Sequence, residues 1–375
     1  MKVGLRDGRP VDLRFQECSA HVAFSAQAPK TGRNGQVRFP LIGSPTGRFI
    51  IRSPPHPQKS APVATWRLRP RFPMNATVQA RMMAGIPAHN MSLYHQIRFL
   101  VGDPAVFVEL EKDGRVERNL ILRDIEMDRA RRRARVDHVF CPADFTPPSG
   151  LSGDRETATA QAAAEFLRQR DIDRVTVDRS LPMIYAEMLR RASIDTTCDL
   201  DWGVSERRAK DEQEIAWLRE AQQVTEEVMR RACETVARAT ATSDGTLSVD
   251  GTPLTSERLK TLIDVWLLER GYTNPGSIVA GGPQGADCHE SGSGPLKTRE
   301  PVIIDIFPQN RQTLYNGDCT RTVVHGEVSD ELAAMHAAVV AAKAAATAAV
   351  RAGTTGEAVH RAAIEVIQKH GYAVG

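Results

Sequence analysis

No two of the six cysteines, Cys18, Cys141, Cys198, Cys233, Cys288 and Cys319, form a CxxC pair, and their spacing has no regularity. Neither a disulfide framework nor a structural zinc site is expected, and reduced thiols in a cytoplasmic protein are the reading. No apolar run approaches the roughly 20 residues that cross a bilayer, so no membrane association is expected. The opening MKVGLRDGRPVDLRF is too charged and broken for a secretory signal, which again points to the cytoplasm.

At 375 residues the chain can hold two or more cores. Its net charge of +3 hides an asymmetry: residues 1–73 carry thirteen Lys/Arg against three Asp/Glu, leaving 36 against 43 for the rest. That leader also holds ten of the 22 prolines and keeps no helical or strand period, so 1–73 reads as a disordered basic extension. Its basic residues are dispersed with few aromatics between them, and no nucleic-acid partner is expected.

Folded character begins near Met74. AVFVEL (105–110) and RNLILR (118–123) flank an Asp-Gly turn and predict a β-hairpin. Alternating helix and strand signals follow, through RETATAQAAAEFLRQRDI, RVTVD and LPMIYAEMLRRA, giving an α/β domain over 74–203. A long helix from Lys210 opens the next domain, 204–375, with Ile215, Leu218, Ala221, Val224 or Thr225, and Val228 as its buried face. A second helix, capped by Ser256 and ended by Gly271, leads into the Gly-rich loop IVAGGPQGADCHESGSG. Alanine-rich helical sequence then occupies about 330–351.

Between them lies PVIIDIFPQNRQTLYNGDCTRTVV, residues 301–324. Asp305 interrupts a run of Val and Ile that has the composition of a central strand, and Asp318 precedes a second such run after an Asn316-Gly317 bend. Two antiparallel strands would put both carboxylates on one face. Left alone they would repel, and a divalent cation relieves that. The competing explanation is an ordinary ion pair with Arg321 or a turn cap.

With these residues in hand, the sequence resembles the pita-bread metallopeptidases, which include aminopeptidase P, proline dipeptidase, creatinase and methionine aminopeptidase. The likeness rests on IDIF…GDCTRT, similar to the paired metal-ligand aspartates, and on SIVAGGPQGADCHESGSGPLKTREPVIID, similar to the substrate-histidine loop. KDEQEIAWLREA and RAGTTGEAVH support it, and NMSLYHQIRFLVGDPAVFVELEKDGRVERNLILRDIEMDRA resembles the creatinase-type N-terminal domain. The resemblance implies an α/β creatinase-like domain followed by an α+β pita-bread domain. It implies Asp305 and Asp318 as ligands to two divalent ions (Mn, Co, Zn or Fe), with Asp318 bridging. His289 would hydrogen-bond the substrate, and Thr320 would orient a carboxylate. The activity implied is hydrolysis of Xaa-Pro bonds by a metal-bridging hydroxide, on peptides with proline in the second position, in a homodimer.

Two departures accompany it. The interval from Asp305 to Asp318 is longer than the family usually shows, and the family completes its site with one His and two Glu downstream of the region where KHGYAVG ends. His360 and His370 read as ordinary surface or capping histidines. The pita-bread domain is therefore expected to be incomplete, truncated at its C-terminus. The alternative expectation is an inactive relative, serving as a binding or dimerisation module or being a decaying gene.

Overall fold

The computed structural model describes residues 78–373, so the expectations about the 1–73 leader lie outside the described residues. The first unit is built on a six-stranded sheet. Its strands are β1 (Gln79–Gly85), β2 (Ala105–Lys112), β3 (Arg115–Ile121), β4 (His138–Phe140), β5 (Arg174–Asp178) and β6 (Asp195–Asp199), in the order β4-β3-β2-β1-β5-β6. The expected hairpin is β2–β3, closed by Asp113 and Gly114 at φ 52° and 75°, the left-handed pair that a tight two-residue turn requires.

Both faces of this sheet are covered. Along β2, Val106, Val108 and Leu110 enter one core with α3 (Arg155–Arg168) and α4 (Met183–Arg191). Ala105 and Phe107 enter the other, with α1 (Met91–Ile97), α2 (Met127–Arg133) and Trp202. This is the period-2 alternation of a strand buried on both sides.

The second unit begins with α5 (Glu212–Ala237), followed by the short strands β7 (Thr240–Ala241), β8 (Leu247–Val249) and β9 (Thr252–Pro253), and α6 (Ser256–Glu269). After β10 (Tyr272–Thr273) come β11 (Ser277–Gly281), β12 (Pro301–Ile306), β13 (Gln309–Asn310) and β14 (Cys319–Val324). Strands β11, β12 and β14 form an antiparallel sheet with β12 in the middle, and β10 pairs with β13. The first residues of the expected Gly-rich loop are thus strand, because the apolar Ile278, Val279 and Ala280 pair with β12. One face of this sheet, with Val279, Val302, Ile304, Ile306, Cys319 and Val323, is buried against α5 and α6.

Helix details depart from expectation at two places. On α5 the buried stripe runs through Glu214, Ala221, Thr225, Val228 and Met229, whereas Ile215 is 37% exposed. On α6 the capping side chain is Thr255, whose Oγ1 accepts from the Arg258 N–H at 3.2 Å; Ser256 is already in the first turn, fully buried, with Oγ unpartnered. Thr255→Ala is expected to destabilise by about 1 kcal/mol, as loss of a cap does. Ser256→Ala removes a buried group that makes no bond and is expected to be neutral or stabilising in the same denaturation measurement.

The alanine-rich segment forms α7 (Asp330–Ala349), which packs against α8 (Gly356–Lys369). Contrary to the sequence reading, α7 is long and apolar enough, by length and composition alone, to cross a membrane. Its apolarity comes from a run of alanines, each contributing little, so no strongly hydrophobic stretch stands out in the sequence.

Candidate metal centre

Strand register decides where the two aspartates point. Asp305 on β12 lies opposite Ile278 on β11 and opposite Thr320 on β14. Directly opposite residues share a face, and Asp318, two positions before Thr320, has the same parity. Asp305 and Thr320 therefore lie on the sheet face turned away from α5 and α6, and Asp318, immediately before β14 begins, continues the same alternation. Arg321 is opposite Ile304, on the other face, so the ion pair considered as the competing explanation for Asp305 does not follow from the ladder.

Asp305 is only 2% exposed. A carboxylate buried to that extent is costly unless hydrogen bonds or a cation compensate it. Thr320 supplies one such bond, its Oγ1 donating to Asp305 Oδ1 at 2.5 Å. Asp318 is exposed, and its position is set through the backbone: its N–H donates to Gln222 Oε1 of α5 at 3.1 Å. Gly317 makes this approach possible, since a Cβ there would lie 2.0 Å from Thr225 Oγ1 and 2.6 Å from the Ala221 carbonyl oxygen.

His289 sits on the exposed loop between β11 and β12. Its N–H donates to Asp287 Oδ1 at 2.9 Å. Farther along, Gln284 and Ser293 exchange two hydrogen bonds of 3.0 Å, and Lys260 Nζ donates to the Gly292 carbonyl at 2.8 Å. The Val279 N–H donates to Ser291 O at 3.0 Å, laying the loop along β11.

Among the described residues, the one set of three His, Cys, Asp or Glu donors whose ligand atoms lie within 4.8 Å of one another is Asp287, Cys288 and His289. These are consecutive residues of one turn, and their closeness follows from that. Asp305 and Asp318 thus present a paired carboxylate face with a hydroxyl orienting one member. The chemistry of that donor set fits a hard divalent cation, and Thr320 fits the orienting partner such a ligand needs. In number it is part of what two ions require. His360 and His370 are exposed, on α8 and at its end, as expected of ordinary histidines.

The sequence reading missed Glu214, Tyr315 and Arg98, which meet at the start of α5. Tyr315 Oη donates to Glu214 Oε1 at 2.5 Å, Glu214 Oε2 accepts from the Asp211 N–H at 2.9 Å, and Arg98 Nη2 lies 3.2 Å from Oε2. A signal was available: Asp211-x-x-Glu214 is a capping box, and it turns Glu214 inward at the register where Ile215 was expected. Burial opposes the charge on Glu214, yet the bonds from Tyr315 and the Asp211 N–H, with Arg98 beside it, hold its carboxyl below the ordinary 4.5. A depressed carboxyl stabilises the fold above its unfolded pKa and stops doing so as pH falls through the folded value. Glu214→Gln is therefore expected to lower Tm at pH 7, with the gap to wild type narrowing below about pH 4.5; a gap constant down to pH 3 would contradict this.

The solved structure of an X-Pro aminopeptidase from Thermotoga maritima MSB8 superposes with a TM-score of 0.62 at 20% identity, covering 78% of this chain and 76% of that one. An Xaa-Pro dipeptidase from Bacillus anthracis gives 0.61 at 17% identity, covering 78% and 74%. The prolidase from Pyrococcus horikoshii OT3 gives 0.58 at 18%, again covering 78% and 74%. At these identities the likeness shows the fold. None of the curated proteins matches the sequence. Residues 216–375, which include both aspartates and the His289 loop, match the model of metallopeptidase family M24. The segment 216–375 is thus similar to metallopeptidase family M24, and the described residues share the fold of these solved structures.

Proposed function

We propose that the protein hydrolyses Xaa-Pro peptide bonds, as an aminopeptidase or dipeptidase, using two divalent ions held in part by Asp305 and Asp318. The observation that carries this is the sheet face on which the buried Asp305, its Thr320 partner and Asp318 are aligned, within the segment matched to a metallopeptidase family. When bound, such ions supply a water acidic enough to ionise near neutral pH and polarise the scissile carbonyl. The chain's own residues do the rest. Asp305 and Asp318 hold negative charge at fixed positions, and Thr320 fixes the orientation of the Asp305 carboxylate. His289, on a loop anchored at Ser291 and Ser293, hydrogen-bonds the substrate. Manganese is the ion we favour.

The setting proposed is cytoplasmic, in keeping with the cysteines: Cys141, Cys198, Cys233, Cys288 and Cys319 are all free thiols. We also propose the division into domains 74–203 and 204–375, and assembly as a homodimer. One observation favours a non-catalytic relative instead, namely that the described residues bring no third His, Cys, Asp or Glu donor into one set with Asp305 and Asp318. Mn-dependent release of the first residue from Xaa-Pro peptides, with peptides lacking proline as controls, separates the two. Cleavage confined to Xaa-Pro peptides is the expected result, and no cleavage by metal-loaded protein would favour the non-catalytic relative.

A further inference from the structure

The segment between Asp305 and Asp318 leaves β12, pairs briefly as β13 and returns to β14 by way of Tyr315. After β13 the Asn310 side chain accepts from the N–H groups of Gln312 and Thr313, at 2.8 and 3.0 Å, turning the chain back. Leu314 then takes φ 61°, a left-handed conformation uncommon for a bulky residue. The result is to deliver Tyr315 across α5, with its ring 5.2 Å from that of Trp217.

There Tyr315 meets a residue of the first sheet unit. Arg98, at the end of α1, has its side chain only 4% exposed, donates from Nη1 to Tyr315 Oη at 3.3 Å, and lies over the Trp217 ring at 5.5 Å. Arg98 also has φ 48°, a second strained residue at the same junction. Glu214 joins the two: one oxygen takes the Tyr315 hydroxyl, the other faces Arg98. His95, one turn before Arg98, adds Nε2 at 3.4 Å from Glu214 Oε1. A buried guanidinium and a buried carboxylate are retained only with their partners in place, because removing either leaves the other uncompensated.

We infer that Arg98, Glu214 and Tyr315 are positioning residues through which the N-terminal sheet unit holds the 307–318 segment, and with it Asp318, against α5. The path is short and continuous. Tyr315 is tied to Glu214 at the start of α5, Gly317 lies on Ala221 and Thr225 a few turns on, and the Asp318 N–H is tied to Gln222. Helix α5 acts as a splint for the segment, and Arg98 fixes the splint to the first unit. The N-terminal unit is then a structural component of the metal face. The mechanical link stands on the contacts alone, whereas its consequence for metal affinity rests on the metallopeptidase reading.

The test compares Tyr315→Phe and Arg98→Leu with wild type, each as the full chain. Tyr315→Phe removes one hydroxyl and keeps the ring on Trp217, so it preserves a folded protein even should Arg98→Leu not. Amide hydrogen exchange is read over 309–318 and, as reference, over β11 and β12. The expected result is exchange faster by about tenfold or more in 309–318 with the reference strands unchanged. Mn binding, followed by calorimetry, should weaken by on the order of tenfold, as loss of a supporting contact does. Glu214→Gln, which still accepts from Tyr315, should restore much of the protection that Glu214→Ala loses. Unchanged exchange in 309–318 for both variants would overturn the inference, and so would faster exchange with unaltered Mn affinity. If wild type binds no Mn, the metallopeptidase reading fails, and the exchange result still decides whether the link exists.

Discussion

Replacement of Asp318 by alanine is expected to lower Mn-dependent Xaa-Pro cleavage by on the order of a thousandfold or more, while leaving the fold intact. Its side chain is exposed, and the bond that sets its position, N–H to Gln222, belongs to the backbone and survives the substitution. Exposed positions of this kind change stability by about 0.5 kcal/mol or less. Removing one of two like charges on a sheet face also relieves repulsion in the ion-free protein. Asp305→Ala should abolish activity too, but with a different signature. Its carboxylate is buried and accepts from Thr320, so its loss orphans a hydroxyl and should cost about 1–3 kcal/mol as well. Denaturation curves and cleavage rates for the two variants test this: activity lost in both, stability lost mainly in Asp305→Ala. Retained cleavage in Asp318→Ala would show that the exposed aspartate takes no part in the chemistry.

The largest expected effect on stability comes from Gly292→Ala. Gly292 has φ +80°, and a Cβ there would lie 1.8 Å from the Val279 carbonyl oxygen and 2.5 Å from its carbon. Both atoms are backbone of β11, so no side chain can swing aside. The left-handed conformation alone costs a residue with a Cβ about 1–2 kcal/mol, and relieving the clash means lifting the loop and breaking the Ser291–Val279 bond. A total of about 3 kcal/mol or more is expected, with the His289 loop displaced. Gly294 provides the control. It has φ +77° with open space around its missing Cβ, so Gly294→Ala should show the conformational cost alone, about 1–2 kcal/mol. Equal losses for the two variants would contradict the close approach of loop and strand.

How much of this could be read from the residues depends on the range of the interactions. The β2–β3 hairpin follows from Asp-Gly between two apolar runs, because a two-residue turn fixes its own register. The shared face of Asp305 and Asp318 follows from the same local logic, with Asn316-Gly317 marking the bend. Non-local pairing was less legible. That α5 buries Glu214 and leaves Ile215 outside depends on Tyr315, 101 positions later in the chain, and on Arg98 from another sheet unit. Apolar periodicity alone places a leucine or isoleucine inward and gives no weight to a carboxylate whose partners are remote. The cap of α6 failed for a smaller reason: Thr255 and Ser256 are adjacent residues of comparable capping ability, and a shift of one residue at a helix end lies within what sequence can place. Thr320 was legible as an orienting partner only through the family pattern, since a threonine in a strand is unremarkable by itself.

Metal on the Asp305 and Asp318 face is what separates a hydrolase from a non-catalytic relative. The most direct measurement is the metal content and Mn affinity of the protein isolated from its native source, set beside Asp305→Asn and Asp318→Asn, which keep side-chain size and remove the charge. Divalent ions bound in stoichiometric amount by wild type, and lost in both variants, are expected. Wild type without bound ion after loading, or with an ion that both variants retain, would contradict this.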